Sequence, residues 1–217
     1  MLFDSAIVLS PHFDYAYYQK AVPYLKRGFL EEGIKLLNKA MELAPLDHLT
    51  YHANWYFQHE SYAYFRRDLE RFYVMDCAYL SYTMGGGLEM RILLGIVYSK
   101  MGENAKALQT LLAAIAEFPS PDFMGIYDYH TLGISQYFNG DYATAQETLE
   151  KSIAVNAEFA DTYYYLALVE EELGNATAAQ QRLQESINRF EGQDGGYTGY
   201  PFCFPVTKDV VEEKLAG

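Results

Sequence analysis

Cysteine is nearly absent from this chain: Cys77 and Cys203 are the only two, far apart, with no C-x-x-C pair and no cluster. That usage removes a disulfide framework and a cysteine-based metal site. It suits a reducing compartment with two structural thiols, a single long-range disulfide being the alternative. Long apolar runs are missing too. No stretch of about 18 apolar residues occurs, so no bilayer-spanning helix is predicted. The opening MLFDSAIVLSP carries Asp4, no basic flank and too short an apolar run for a signal peptide. The cytoplasm is the expected location. Basic charge is also scarce, with 16 Lys and Arg against 29 Asp and Glu and a formal net charge of −13. Such a mean field repels nucleic-acid backbones and anionic membranes and favours a basic or neutral partner. Finally, there is no G-x-S-x-G, no kinase-type loop and no cysteine in a catalytic setting. No enzyme activity, catalytic residue, cofactor or metal is therefore assigned.

What the chain has is self-similarity. The segments 16–45, 90–119, 129–157 and 163–187 align without gaps at four positions. A small residue in mid-helix (Ala21, Gly95, Gly133, Ala167) is followed seven residues on by glycine (Gly28, Gly102, Gly140, Gly174). Five further stands a second small residue (Gly33, Ala107, Ala145, Ala179), and four beyond it a leucine (Leu37, Leu111, Leu149, Leu183). The pattern is that of a helical hairpin. Small residues let the paired helices approach, glycine supplies the left-handed turn, and the leucine is expected to fill the groove made with the next pair. One hairpin cannot bury both of its faces, so several must stack into a continuous core.

On these residues, with the aromatic Tyr17, Tyr129 and Tyr163, the tyrosines Tyr24 and Tyr98, the alanines Ala40 and Ala114 and the prolines Pro45 and Pro119, the chain resembles the tetratricopeptide repeat family. The resemblance implies an all-α fold, an α-α superhelix or solenoid of about five hairpins with a leading helix and a C-terminal cap. The array is expected over residues 1–190, with repeats at 14–45, 46–77, 88–119, 126–157 and 160–190. Residues 1–11 match the closing half of a repeat, as a cap or as part of a longer array. The 46–77 copy is degenerate, placing Phe65 and Phe72 where small residues are usual, which should separate or tilt its helices. Residues 191–217 read as a loop followed by a short capping helix with Thr207 as N-cap, in which Tyr197, Tyr200, Phe202 and Phe204 supply apolar surface.

Two motifs invite a different chemistry. Gly85–Gly87 precede a helix, as in anion-binding loops, but neither G-x-G-x-x-G nor G-K-[ST] is completed, and a joint between repeats is the expected role. His48 and His52 stand four apart on a predicted helix, with Asp47, His59 and Glu60 nearby. That spacing could place two imidazoles on one face, although a site needs further ligands. A metal- or small-molecule-binding sensor or enzyme using either region is one alternative function, and a self-associating structural array is another.

The family resemblance implies that the first helix of each hairpin lines a concave groove holding a protein or peptide. The groove positions carried over are Tyr15, Tyr18, Asn54, Gln58, Ile92, Lys100, Tyr127, His130, Phe138, Asp161 and Tyr164. This face is aromatic and partly acidic, which suits a basic or aromatic-rich segment. The clamp that holds acidic chaperone C-termini in this family is matched only at Asn54. Tyr18, Glu89 and Leu93 stand where the clamp has its lysines and arginine.

Overall fold

A computed structural model describes residues 2–75, 89–192 and 204–217. Both cysteines, the Gly85–Gly87 run, and Tyr197, Tyr200 and Phe202 lie outside the described residues. The chain divides into two compact units, Met1–Ser81 and Tyr82–Gly217. Among the described residues every regular element is helical.

The first unit contains α1 (Leu2–Leu9), α2 (Asp14–Lys26), α3 (Leu30–Leu43), α4 (Pro45–Gln58) and α5 (Tyr62–Met75). α2 pairs with α3 and α4 with α5, while α3 packs on α4 and α1 on α2. The second unit contains α6 (Met90–Lys100), α7 (Asn104–Ala116), α8 (Ile126–Phe138), α9 (Tyr142–Val155), α10 (Ala160–Glu172), α11 (Ala176–Gly192) and α12 (Lys208–Ala216), with a 3-10 turn at Pro121–Phe123. Its hairpins are α6/α7, α8/α9 and α10/α11. The first helices α6, α8 and α10 adjoin in that order, and α12 lies on α11.

Each regular hairpin turns on a glycine in the left-handed region, with φ +82° at Gly28, +79° at Gly102, +84° at Gly140 and +82° at Gly174. A Cβ costs about 1–2 kcal/mol in that region, which is why glycine recurs. The degenerate hairpin places Glu60 there, at φ +55°, and carries the strain. Its large residues are absorbed as core, Phe65 and Phe72 being buried and Phe57 packing on Phe65 with ring centroids 5.3 Å apart. α2 runs unbroken through Pro23.

The small mid-helix residues work within their own hairpin. A Cβ on Gly95 would lie 2.6 Å from Leu111 Cγ, and one on Gly133 2.7 Å from Leu149 Cγ. Each leucine thus sits directly on the glycine of its own partner helix. The first hairpin's leucine, Leu37, in addition shares a cluster with Tyr51 and Trp55 of the next pair. In the first hairpin the roles are exchanged, and Leu25 covers Gly33 at 2.6 Å from the same hypothetical atom.

Candidate functional site

The first-helix face of the first unit is built by α2 and α4. Tyr18 stacks on His48 at a centroid distance of 5.1 Å and meets Tyr51 edge-on at 4.7 Å. Tyr15 extends the row, 6.0 Å from Tyr18, and Phe13 lies 6.2 Å beyond. Tyr15 is half exposed and Tyr18 half-buried, so this row offers rings to the outside. Gln58 is exposed at the end of α4, whereas Asn54 is buried and its Oδ1 has no hydrogen-bond partner among the described residues.

The two histidines do not converge on a common point. His48 Nε2 lies 2.7 Å from Asp14 Oδ2, which ties α4 to α2. His52 Nδ1 lies 2.5 Å from Asp68 Oδ2, which ties α4 to α5. Arg67 donates Nε–H and Nη2–H to the other oxygen of Asp68 at 2.9 and 2.7 Å. Each imidazole is committed to its own carboxylate, and no group of three metal-ligating side chains occurs among the described residues. The pair is structural cross-bracing.

In the second unit the assigned positions separate into covered and open groups. Ile92 is fully buried because α6 is apolar on nearly all faces from Ile92 to Tyr98, and a helix of that kind is enclosed over that stretch. His130 is also fully buried. Its Nδ1 lies 3.0 Å from Thr162 Oγ1 and its ring 4.4 Å from Phe159, which makes it a strut between α8 and α10. These two positions, with Asn54 in the first unit, are corrected from groove surface to interior, whereas Asp161 is buried under Val206, whose N–H it accepts. Lys100 and Phe138 are exposed, and Tyr127 and Tyr164 half-buried.

The last segment also reaches this face, a placement without a local signature in the sequence. The ring of Phe204 lies 5.6 Å from that of Phe138 and 6.5 Å from that of Tyr165, and Lys100 Nζ is 5.4 Å from the Phe204 centroid. Two residues later, Val206 N–H donates to Asp161 Oδ1 at 2.6 Å. α12 then closes the end, with Val211 buried among Ala167, Leu183 and Ile187 and with Tyr164, Val206 and Leu215 around them. The signal available in the sequence was the aromatic and proline content just before this helix. It supported a cap on the last hairpin but not contacts as far back as α6.

Two buried carboxyls stand out electrostatically. Burial raises Asp128 to about 6, with Glu89 adding to the rise and the Gly125 N–H, 2.7 Å away, opposing it. Burial likewise raises Asp161 to about 6 against the opposing Val206 N–H. A carboxyl whose pKa is higher folded than unfolded binds protons preferentially in the folded state. Stability is therefore gained as pH falls through about 6, the reverse of the usual aspartate. Between pH 7.5 and pH 5 the wild type is expected to gain about 1 kcal/mol per carboxyl relative to an Asp128→Asn, Asp161→Asn variant, in urea unfolding at each pH. Parallel pH profiles for the two proteins would contradict this.

Family models described as tetratricopeptide repeat match residues 92–121 and 130–190. Over these residues the chain carries tetratricopeptide repeats. Solved structures show the same fold. YrrB, described as a tetratricopeptide repeat protein with an unusual peptide-binding site, is similar at 18% identity and a TM-score of 0.66, over 87% of this chain and 92% of that one. MamA from Desulfovibrio magneticus RS-1 is similar at 15% identity and a TM-score of 0.70, over 84% and 97%. A chain of the Cut9–Hcn1 hetero-tetramer is similar at 15% identity and a TM-score of 0.65, over 99% of this chain and 38% of that one. No curated protein matches the sequence. Among the described residues of this tetratricopeptide array, no helix is long and apolar enough to cross a membrane.

Proposed function

We propose that this protein is a non-catalytic interaction module that docks a protein or peptide segment, basic or aromatic-rich, on the first-helix faces of its hairpins, without a cofactor and in the cytoplasm. The observation that carries the reading is the placement of Phe204–Val206. A short non-helical stretch of chain is held by Lys100, Phe138 and Asp161, three of the positions that the family resemblance assigns to partner contact. The open ring row of Tyr15 and Tyr18 in the first unit supports the same use. Tyrosine combines a rigid apolar body with a hydrogen-bonding tip and recurs at interface hot spots. The net charge of −13 favours a basic segment.

A Tyr18→Ala, Tyr127→Ala, Tyr164→Ala variant, checked for helicity by circular dichroism, tests this. A partner recovered from native lysate by the wild type is expected to bind the variant at least about tenfold more weakly, since each hot-spot ring contributes on the order of 1–2 kcal/mol. Equal affinity for both proteins would remove these faces from the interaction.

A further inference from the structure

The first-helix face of the second unit is filled by the chain itself, and the manner of filling specifies what would replace the occupant. The seat has three parts. One is a slot for a ring, where Phe204 lies against Phe138 and Tyr165 beneath the Lys100 ammonium. The second is the Asp161 carboxyl, which accepts the main-chain N–H of the residue two positions on. The third is the apolar cluster of Ala167, Leu183, Ile187 and Val211, against which Val206 packs alongside Tyr164. Pro205 lies between ring and donor and is exposed, so its missing N–H leaves nothing unpaired.

The present fit is imperfect in two respects. Phe204 is held at φ +50°, in the left-handed region where an aromatic residue is strained. Asp161 Oδ2 is buried without a hydrogen-bond partner among the described residues. The segment stays in place because it is tethered. α12 follows directly and is anchored by buried Val211 and by the Lys214–Glu171 ion pair at 2.7 Å. A tether of this kind raises the local concentration of even a poor ligand to the millimolar range.

Resting on the docking function above, we propose that this seat is the ligand site of the second unit and that the Phe204–Val206 stretch is its resident competitor. The external ligand is an extended protein segment with an aromatic residue and, two positions on, an aliphatic residue whose main-chain N–H is free. A partner lacking strain at the aromatic position displaces the chain's own copy.

The test uses acetyl-Phe-Pro-Val-Thr-Lys amide, which copies residues 204–208, and a control peptide with alanine in place of phenylalanine. Each is titrated into the full-length wild type and into Phe204→Ala, which removes the competing ring without touching Val211. The variant is expected to bind the phenylalanine peptide at least about tenfold more tightly than the wild type does and to ignore the control. Adding Lys100→Ala and Phe138→Ala should abolish that binding. In the wild type the Val206 amide is expected to exchange slowly with solvent, and to exchange faster when the peptide saturates the site. Should the variant fail to fold, this exchange measurement on the wild type decides alone.

Equal affinity of wild type and variant overturns the competitor. Absence of binding to the folded variant overturns the ligand chemistry, and fast exchange at Val206 in the free wild type overturns the occupancy. Concentration-dependent dimers in step with binding would mean that a second copy fills the seat, and would equally overturn it. A protein that loses its lysate partner on tyrosine substitution yet binds no peptide keeps the docking function and loses this inference.

Discussion

Asp68→Ala is expected to cost the first unit about 1–3 kcal/mol, read as a shift in urea unfolding followed by the fluorescence of Trp55, the single tryptophan. The reason is the number of donors that Asp68 satisfies at a site closed to water. Its side chain is 1% exposed and that of His52 0%. One carboxyl oxygen meets His52 Nδ1 and the other accepts two N–H groups of Arg67. Removing the carboxyl leaves an imidazole N–H buried with no acceptor, and the full desolvation penalty of that donor is then uncompensated. The other ring nitrogen, His52 Nε2, already lacks a partner among the described residues and lies under the edge-on contact with Tyr56, centroids 4.7 Å apart. The ring therefore has no alternative acceptor to turn to there.

Two further variants discriminate this from simple loss of volume. Asp68→Asn keeps the shape and one acceptor oxygen and is expected to cost less than half as much. His52→Ala combined with Asp68→Ala is expected to be less destabilising than the sum of the single changes by about 0.5–2 kcal/mol, because the orphaned donor disappears with its partner. A loss under about 1 kcal/mol for Asp68→Ala, or additivity in the cycle, would show that the brace contributes little.

This brace also marks where sequence reading ran out. The hairpins were legible because their determinants are local. A glycine that must adopt positive φ recurs at 28, 102, 140 and 174, and the small and large residues that pair the helices recur in step with it. The partners of the histidines were not legible, because Asp14 and Asp68 lie 34 and 16 positions from His48 and His52 and belong to no motif. The i, i+4 spacing correctly put both imidazoles on α4, yet the helices packed on either side of α4 claimed one each. The same limit applies to Ile92, His130 and Asp161. A repeat register assigns them to the first-helix face, but whether a position there stays open depends on what else covers it. Ile92 is enclosed through the apolarity of its own stretch of α6, His130 is bridged by Thr162, and Asp161 is capped by Val206 from 45 positions away.

Gly133→Val is expected to cost about 3 kcal/mol or more, seen as an earlier loss of far-ultraviolet circular dichroism in urea while the Trp55 signal of the first unit reports separately. The hypothetical Cβ at 133 lies 2.7 Å from both Cγ and Cδ2 of Leu149 and 3.3 Å from its main-chain nitrogen. Leu149 is fully buried and can swing aside only at the expense of its own packing, while α9 must shift to relieve the contact with its nitrogen. Valine adds two methyl groups to that conflict and stiffens the side chain in a helix, so overpacking and propensity act in the same direction. Alanine is a milder case. Its helix propensity exceeds that of glycine by about 1 kcal/mol, which offsets part of the clash, and the equivalent positions of two other hairpins are Ala21 and Ala167. The expected order is therefore wild type, Gly133→Ala, Gly133→Val, in falling stability. Leu149→Ala alone should cost about 2–5 kcal/mol by leaving a cavity. In combination with Gly133→Val it should cost clearly less than the sum, since the new methyls enter the space vacated. Strict additivity of those two changes would mean that the glycine is not held small by the leucine above it, and that the close approach of α8 and α9 has another cause.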